Sequence, residues 1–214
     1  MENKRESHKL NKFKIQKKKK SEIFHRLYNL IEEKNKQIKT IKESVQTLKN
    51  IKFVLDKEAL KIFLNKLIDD YEYERFCKKI FREENGLNIL FSLLKFYVKE
   101  KDYEIIGTIL STIITLSKYK KKNLKIFEKN DGMKYYMILL KNASIENCLD
   151  EYDSIPLSRV TYLIHSLLTN DYHGESVNYI KSSLKKNKIL LLNFKKNFDE
   201  FLWMHYYINN FLLV

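Results

Sequence analysis

The stretch KIFREENGL, beginning at Lys79, returns 46 residues later as KIFEKNDGM, beginning at Lys125. Lys79, Ile80 and Phe81 align with Lys125, Ile126 and Phe127, Asn85-Gly86 with Asp131-Gly132, and Leu93-Leu94 with Leu139-Leu140. Asn-Gly and Asp-Gly make hairpins where strands flank them. Here the flanks carry helical spacing: Phe76, Cys77, Ile80 and Phe81 before the first glycine, Leu87, Leu90, Phe91 and Leu94 after it. Each glycine is therefore expected to be the left-handed residue that ends one short helix where the next begins.

The rest of the chain supports an all-α reading. It has 4 glycines and 1 proline in 214 residues, too few for the many turns of a sandwich or barrel. A long apolar helix is expected at 103–118 after the first copy, and another at 157–170 after the second. A loop around Cys148–Pro156 delays the second of these, and 57–70 takes the same place before the first copy. Short helix, corner, second helix, loop and long third helix then recur with a period of about 40–47 residues, which marks helical repeats.

On these residues the chain resembles the armadillo-repeat family. The resemblance rests on IFREENGLNILFSLL and IFEKNDGMKYYMILL, each followed by a long helix ending in ITLSK or SLLTN, and spans residues 57–185. It implies a short right-handed superhelix of stacked helices whose third helices line a concave groove. The nuclear-import branch clamps basic peptides with a tryptophan and an asparagine on those helices. The single tryptophan here, Trp203, lies outside such a helix, which argues against that branch.

Three segments are expected: a disordered basic tail at 1–20, a long helix or helical cap at 21–56, and armadillo-like repeats at 57–214 closed by a C-terminal capping helix. The tail holds nine basic and two acidic residues, including the run Lys17, Lys18, Lys19 and Lys20, and few apolar residues that could fold it. That run would serve either as a nuclear-localisation or polyanion-binding signal or as a solvated leader. In 22–55, Phe24, Ile31, Ile38 and Val45 share one heptad position. Leu27, Ile41, Leu48 and Leu55 share the other, interrupted by Lys34 and Lys52. The segment reads as a dimerising coil or as a cap packed on the first repeat. At the other end Phe198, Phe201, Leu202, Met204, Tyr206, Ile208 and Phe211 describe a helix apolar nearly all round, suited to capping or to a partner.

The net charge of +14 arises from 36 lysines and only 5 arginines. With 19 asparagines and 2 alanines, this composition follows A+T-rich codons. Arginine, the residue suited to bidentate phosphate and base contacts, is scarce. Cys77 and Cys148 form neither a disulfide framework nor a zinc spacing. With no apolar leader core and no membrane-spanning run, a cytoplasmic or nuclear location is expected.

No phosphate loop, metal-binding helix or nucleophile–histidine pair stands out, so neither enzyme activity nor a cofactor or metal is expected. Asp171, His173 and Glu175 read as a solvated turn. The candidate site is a polar stripe on the third helices: Lys61 and Asn65 on 57–70, Thr108, Ser111 and Thr115 on 103–118, Tyr162, His165 and Thr169 on 157–170. Steps of three and four place each set on one helix face. These stripes would hold a peptide or helical protein partner, making the chain a non-catalytic scaffold or adaptor. The alternatives are a nucleic-acid-associated protein using the basic tail and the loops Lys118–Lys122 and Lys185–Lys188, and a structural subunit assembling through its terminal helices.

Overall fold

The computed structural model describes residues 2–51, 57–71, 75–118, 120–146, 151–169, 175–197 and 202–213, and among these every regular element is a helix. In chain order they are α1 (Glu2–Ile51), α2 (Lys57–Tyr71), α3 (Arg75–Glu83), α4 (Gly86–Glu100), α5 (Tyr103–Ser117), α6 (Lys121–Lys129), α7 (Gly132–Glu146), α8 (Glu151–Thr169), α9 (Glu175–Lys186), α10 (Lys188–Asn197) and α11 (Leu202–Leu212). The chain divides into two compact units, Met1–Glu43 and Ser44–Val214.

The first unit is the leading part of α1. Residues 2–20 are helical there, where composition leads to the expectation of a disordered tail. Lysine and glutamate favour helix nearly as well as leucine does, so charge alone does not prevent a helix. Side chains of the run Lys17–Lys20 lie outside the described residues. Leu27, Tyr28, Leu30 and Ile31 are all more than half exposed.

The second unit holds the two copies of the repeat. One is α3–α4–α5 and the other α6–α7–α8. The helix corners correct the expectation for the glycines. Neither Gly86 nor Gly132 has a positive φ; the left-handed residues are Asn85 (φ 67°) and Asp131 (φ 53°). Asx residues tolerate that conformation. The glycines open α4 and α7, and they are needed for space. A Cβ on Gly86 would stand 2.4 Å from Cε1 of Phe81, and one on Gly132 2.2 Å from Cε2 of Phe127. Both rings are buried. Phenylalanine and glycine five residues apart thus form one interlocking pair, used twice.

The core is built around α5. Every residue from Ile105 to Ser117 is buried, and α5 packs against α2, α4, α6, α7 and α8. Its sequence carries no charge after Glu104, so water has no claim on any face. Asp102 caps its start by accepting from the Ile105 N–H at 3.2 Å. At its other end, the carbonyls of Thr115 and Leu116 accept from Lys78 Nζ at 2.7 Å and from Asn123 Nδ2 at 2.8 Å. Lys78 and Asn123 are themselves buried. Arg82 holds Asn123 in place by donating Nη1 to its Oδ1 at 2.9 Å. The orphan carbonyls of a buried helix end, which would otherwise cost a kilocalorie or more each, are thereby satisfied.

The other ends differ from expectation in two ways. α8 begins at Glu151, so residues 151–156, expected as loop, are helical. Among the described side chains of α11, Ile208 and Phe211 are inside, while Tyr206 is 61% exposed. Among the described residues no helix is long and apolar enough to cross a membrane.

Candidate functional site

The long helices α2, α5, α8 and α11 pack in succession, α2 on α5, α5 on α8 and α8 on α11. This brings together the three helices that carry the expected polar stripe. The stripe itself is not one open surface. Its middle portion is closed, since Thr108, Ser111 and Thr115 are all buried. Thr108 Oγ1 donates to the Glu104 carbonyl at 3.0 Å, and the carbonyl of Thr115 accepts from Lys78. Ser111 Oγ is buried and has no hydrogen-bond partner. These three residues serve the packing of α5 and are not available to a partner.

The flanking helices show how the stripe is covered. Arg159 on α8 donates Nη1 to Asn65 Oδ1 on α2 at 3.2 Å, directly linking two of the helices that pack on α5. Lys61 on α2 donates Nζ to Glu104 Oε1 at 2.8 Å and also pairs with Glu58. The hydrogen bonds it donates to Glu104 and Glu58 hold its ammonium above the ordinary lysine range. These side chains are partly solvated, so the pairs contribute little to stability. Lys61 and Asn65 are therefore tied to their own fold.

The open part lies on α8 and α11. Tyr162 is 49% exposed, and Thr169 is exposed with its hydroxyl donated to the His165 carbonyl at 3.1 Å. The His165 ring is half-buried between rings of α11: centroids lie 5.7 Å from Tyr206, 4.8 Å from Tyr207 and 6.3 Å from Phe211. Tyr162 meets Tyr207 edge-on at 6.0 Å. Burial lowers the pKa of His165 from its ordinary value. The neutral ring accepts at Nε2 from Asn210 Nδ2, 3.3 Å away, with the proton then on Nδ1. The result is an aromatic cluster with its two outer tyrosines, Tyr162 and Tyr206, facing water.

Sequence periodicity identified Tyr162, His165 and Thr169 as sharing a face. It missed Arg159, Tyr207 and Asn210, which complete the contacts. A signal was present: Tyr206-Tyr207 and Asn210-Phe211 stand one helical turn apart in α11, as a helix must place residues that reach one neighbour. Asp171 and His173 lie outside the described residues. Comparison of the chain with family models, with curated proteins and with solved structures gives no match.

Proposed function

We propose that this chain is a non-catalytic, armadillo-like interaction scaffold that binds a protein segment across α8 and α11. One observation carries the reading: Tyr162 and Tyr206 present exposed rings on a framework locked by His165, Tyr207 and Phe211. Tyrosines with two rotatable bonds offer large contact area at low entropic cost, and such residues dominate binding energy at interfaces. Crosslinking capture from the native cell tests it, with wild type beside a Tyr162→Ala, Tyr206→Ala double variant of matched helicity. Proteins held by the wild type should be lost from the variant. Identical captured sets from both would remove this surface as the working face.

The first unit favours a second reading, a subunit that self-assembles through α1. Leu27 and Ile31 sit at heptad core positions and are exposed, as a coiled-coil seam awaiting a helix would be. Sedimentation of the full chain over a range of concentrations decides it. A dimer that Leu27→Lys, Ile31→Lys converts to a monomer supports the reading, and a monomeric wild type rejects it.

A further inference from the structure

A second concave surface lies between α7 and the α9–α10 pair, away from the aromatic cluster. It is a groove of about 770 Å³, within the size range of ligand-binding clefts. Half-buried Met137, Ile138 and Leu190 line it, and Lys134, Lys141 and Lys186 stand exposed along it. We propose that this groove docks an acidic amphipathic helix supplied by a protein partner.

Charge is the first argument. None of the three lysines has an ion-pair partner among the described residues. The two acids at the rim are already engaged: Glu128 Oε2 accepts from Ser176 Oγ at 3.0 Å, and Asp131 Oδ1 accepts from Tyr179 O–H at 2.7 Å. A hydroxyl donor leaves a carboxylate's charge in place, so the lining holds three lysines against two carboxylates and is net positive, with none of the three lysines ion-paired among the described residues. Spacing is the second argument. Lys134 and Lys141 are seven residues apart, two turns of α7, or about 10.5 Å along its axis. That separation is too long to grip one phosphate. It matches carboxylates seven residues apart on a facing helix. Lysines, which are compact hydrated charges, also suit a wet carboxylate rim better than bidentate phosphate binding. The third argument is the floor. Methionine side chains adapt to varied apolar surfaces, and a helix that presents acids at every second turn can present leucines between them.

The first copy of the repeat lacks this surface. At the positions of Lys134 and Ile138 it has exposed Asn88 and Ser92, and at the position of Met137 it has Phe91, fully inside the core. The groove is a property of the second copy and does not follow from the repeat as such. It extends the scaffold reading to a face that the α8–α11 cluster does not touch.

The test is fluorescence anisotropy with the full chain and a fluorescein-labelled peptide of leucine and glutamate in helical amphipathic order. Saturable binding is expected. Lys134→Glu with Lys141→Glu should weaken it by about tenfold or more. Lys99→Glu with Lys122→Glu, the same charge change elsewhere on the surface, should leave it unchanged, as should Tyr162→Ala with Tyr206→Ala. Ile138→Lys separates floor from rim: the proposal expects weaker binding, although a positive charge is added. Circular dichroism and thermal unfolding confirm that each variant is folded. The proposal is overturned by absence of saturable binding or by equal binding of a peptide of scrambled order. Equal weakening in the control lysine pair, or tighter binding by Ile138→Lys, would overturn it too. So would a single-stranded oligonucleotide that displaces the peptide and depends on the same two lysines, which would mark a general polyanion surface.

Discussion

The two copies of the repeat agree at their corners and differ everywhere the corner touches its surroundings. In both, a left-handed Asn or Asp is followed by a glycine against a buried phenylalanine ring. In the first, Asn85 Oδ1 is closed locally by Asn88 Nδ2 at 2.6 Å; in the second, Asp131 reaches Tyr179 on another helix. Arg82 in the first copy donates to Asn123, whereas Glu128 at the matching position accepts from Ser176. The third helices diverge further, α5 buried from Ile105 to Ser117 and α8 open along Tyr162 and Thr169. Backbone geometry is what the repeat preserves. The polar ties between helices are free to change partner and even charge.

The largest effects should test the shared feature. Gly86→Ala and Gly132→Ala should each destabilise the domain by about 2–4 kcal/mol, because the added methyl overlaps a ring that has no room to retreat. Urea unfolding of both variants measures this. Equal losses sustain the equivalence of the corners, and a tolerated alanine at one of them breaks it.

A feature confined to the first copy comes next. Lys78 corresponds to Leu124 in the second copy, so Lys78→Leu makes the first copy more like the second. It also strips the donor from the Thr115 and Lys118 carbonyls. A loss of about 2–3 kcal/mol is expected by the same measurement, since buried acceptors are left unpaired. A neutral outcome would mean that the buried amine contributes no more than its packing.

The ties of the second corner are weaker. Tyr179 O–H donates to Asp131 and accepts from the Met133 N–H at 3.1 Å, an orphan donor at the start of α7. Burial, and then the hydrogen bond to Asp131, raises its pKa well above the ordinary tyrosine value, so it stays a donor. Tyr179→Phe should cost about 1 kcal/mol in urea unfolding, and Asn88→Ala, which removes the exposed local bond of the first corner, less than about 0.5 kcal/mol. The reverse order would place the stronger tie in the first copy.

The smallest effect concerns the open third helix. The folded-state pKa of His165 lies below its ordinary 6.5 because of burial. As pH falls through the ordinary value, the unfolded chain takes up a proton that the folded chain refuses, so stability must decline. The contribution is fully present above that value and is lost on the acid side. Stability of wild type and His165→Gln between pH 7.5 and 5 should differ in slope, the variant being flatter. Parallel profiles would show that the ring is solvated in the folded chain.

The sequence showed that the chain repeats, where the helices break and that glycine is required at each break. It could not say why. A missing side chain is demanded equally by a left-handed φ and by a neighbour in the way, and only the position of Phe81 separates the two. The stripe is closed in its middle, and was not legible as such for a related reason. Spacing tells which residues share a face, and it is silent on what covers the face. Threonine hydroxyls satisfied by the helix's own carbonyls look, in sequence, like hydroxyls meant for water. The tie between Arg159 and Asn65 spans 94 residues, and no local pattern reports it. What was legible in α5 was the absence of any charge after Glu104.

The last turn of α5 draws its hydrogen-bond donors from Lys78, upstream, and Asn123, downstream. A helical array commonly frays from an end, one unit at a time, because each unit leans only on its neighbours. Here neither α3 nor α6 can leave without exposing bare carbonyls in the middle of the core. Opening of the two repeats is therefore coupled. Amide protons in the second half of α5 should exchange with solvent only through a shared opening of α3 and α6, and a protease should find this part of the chain either wholly closed or wholly accessible.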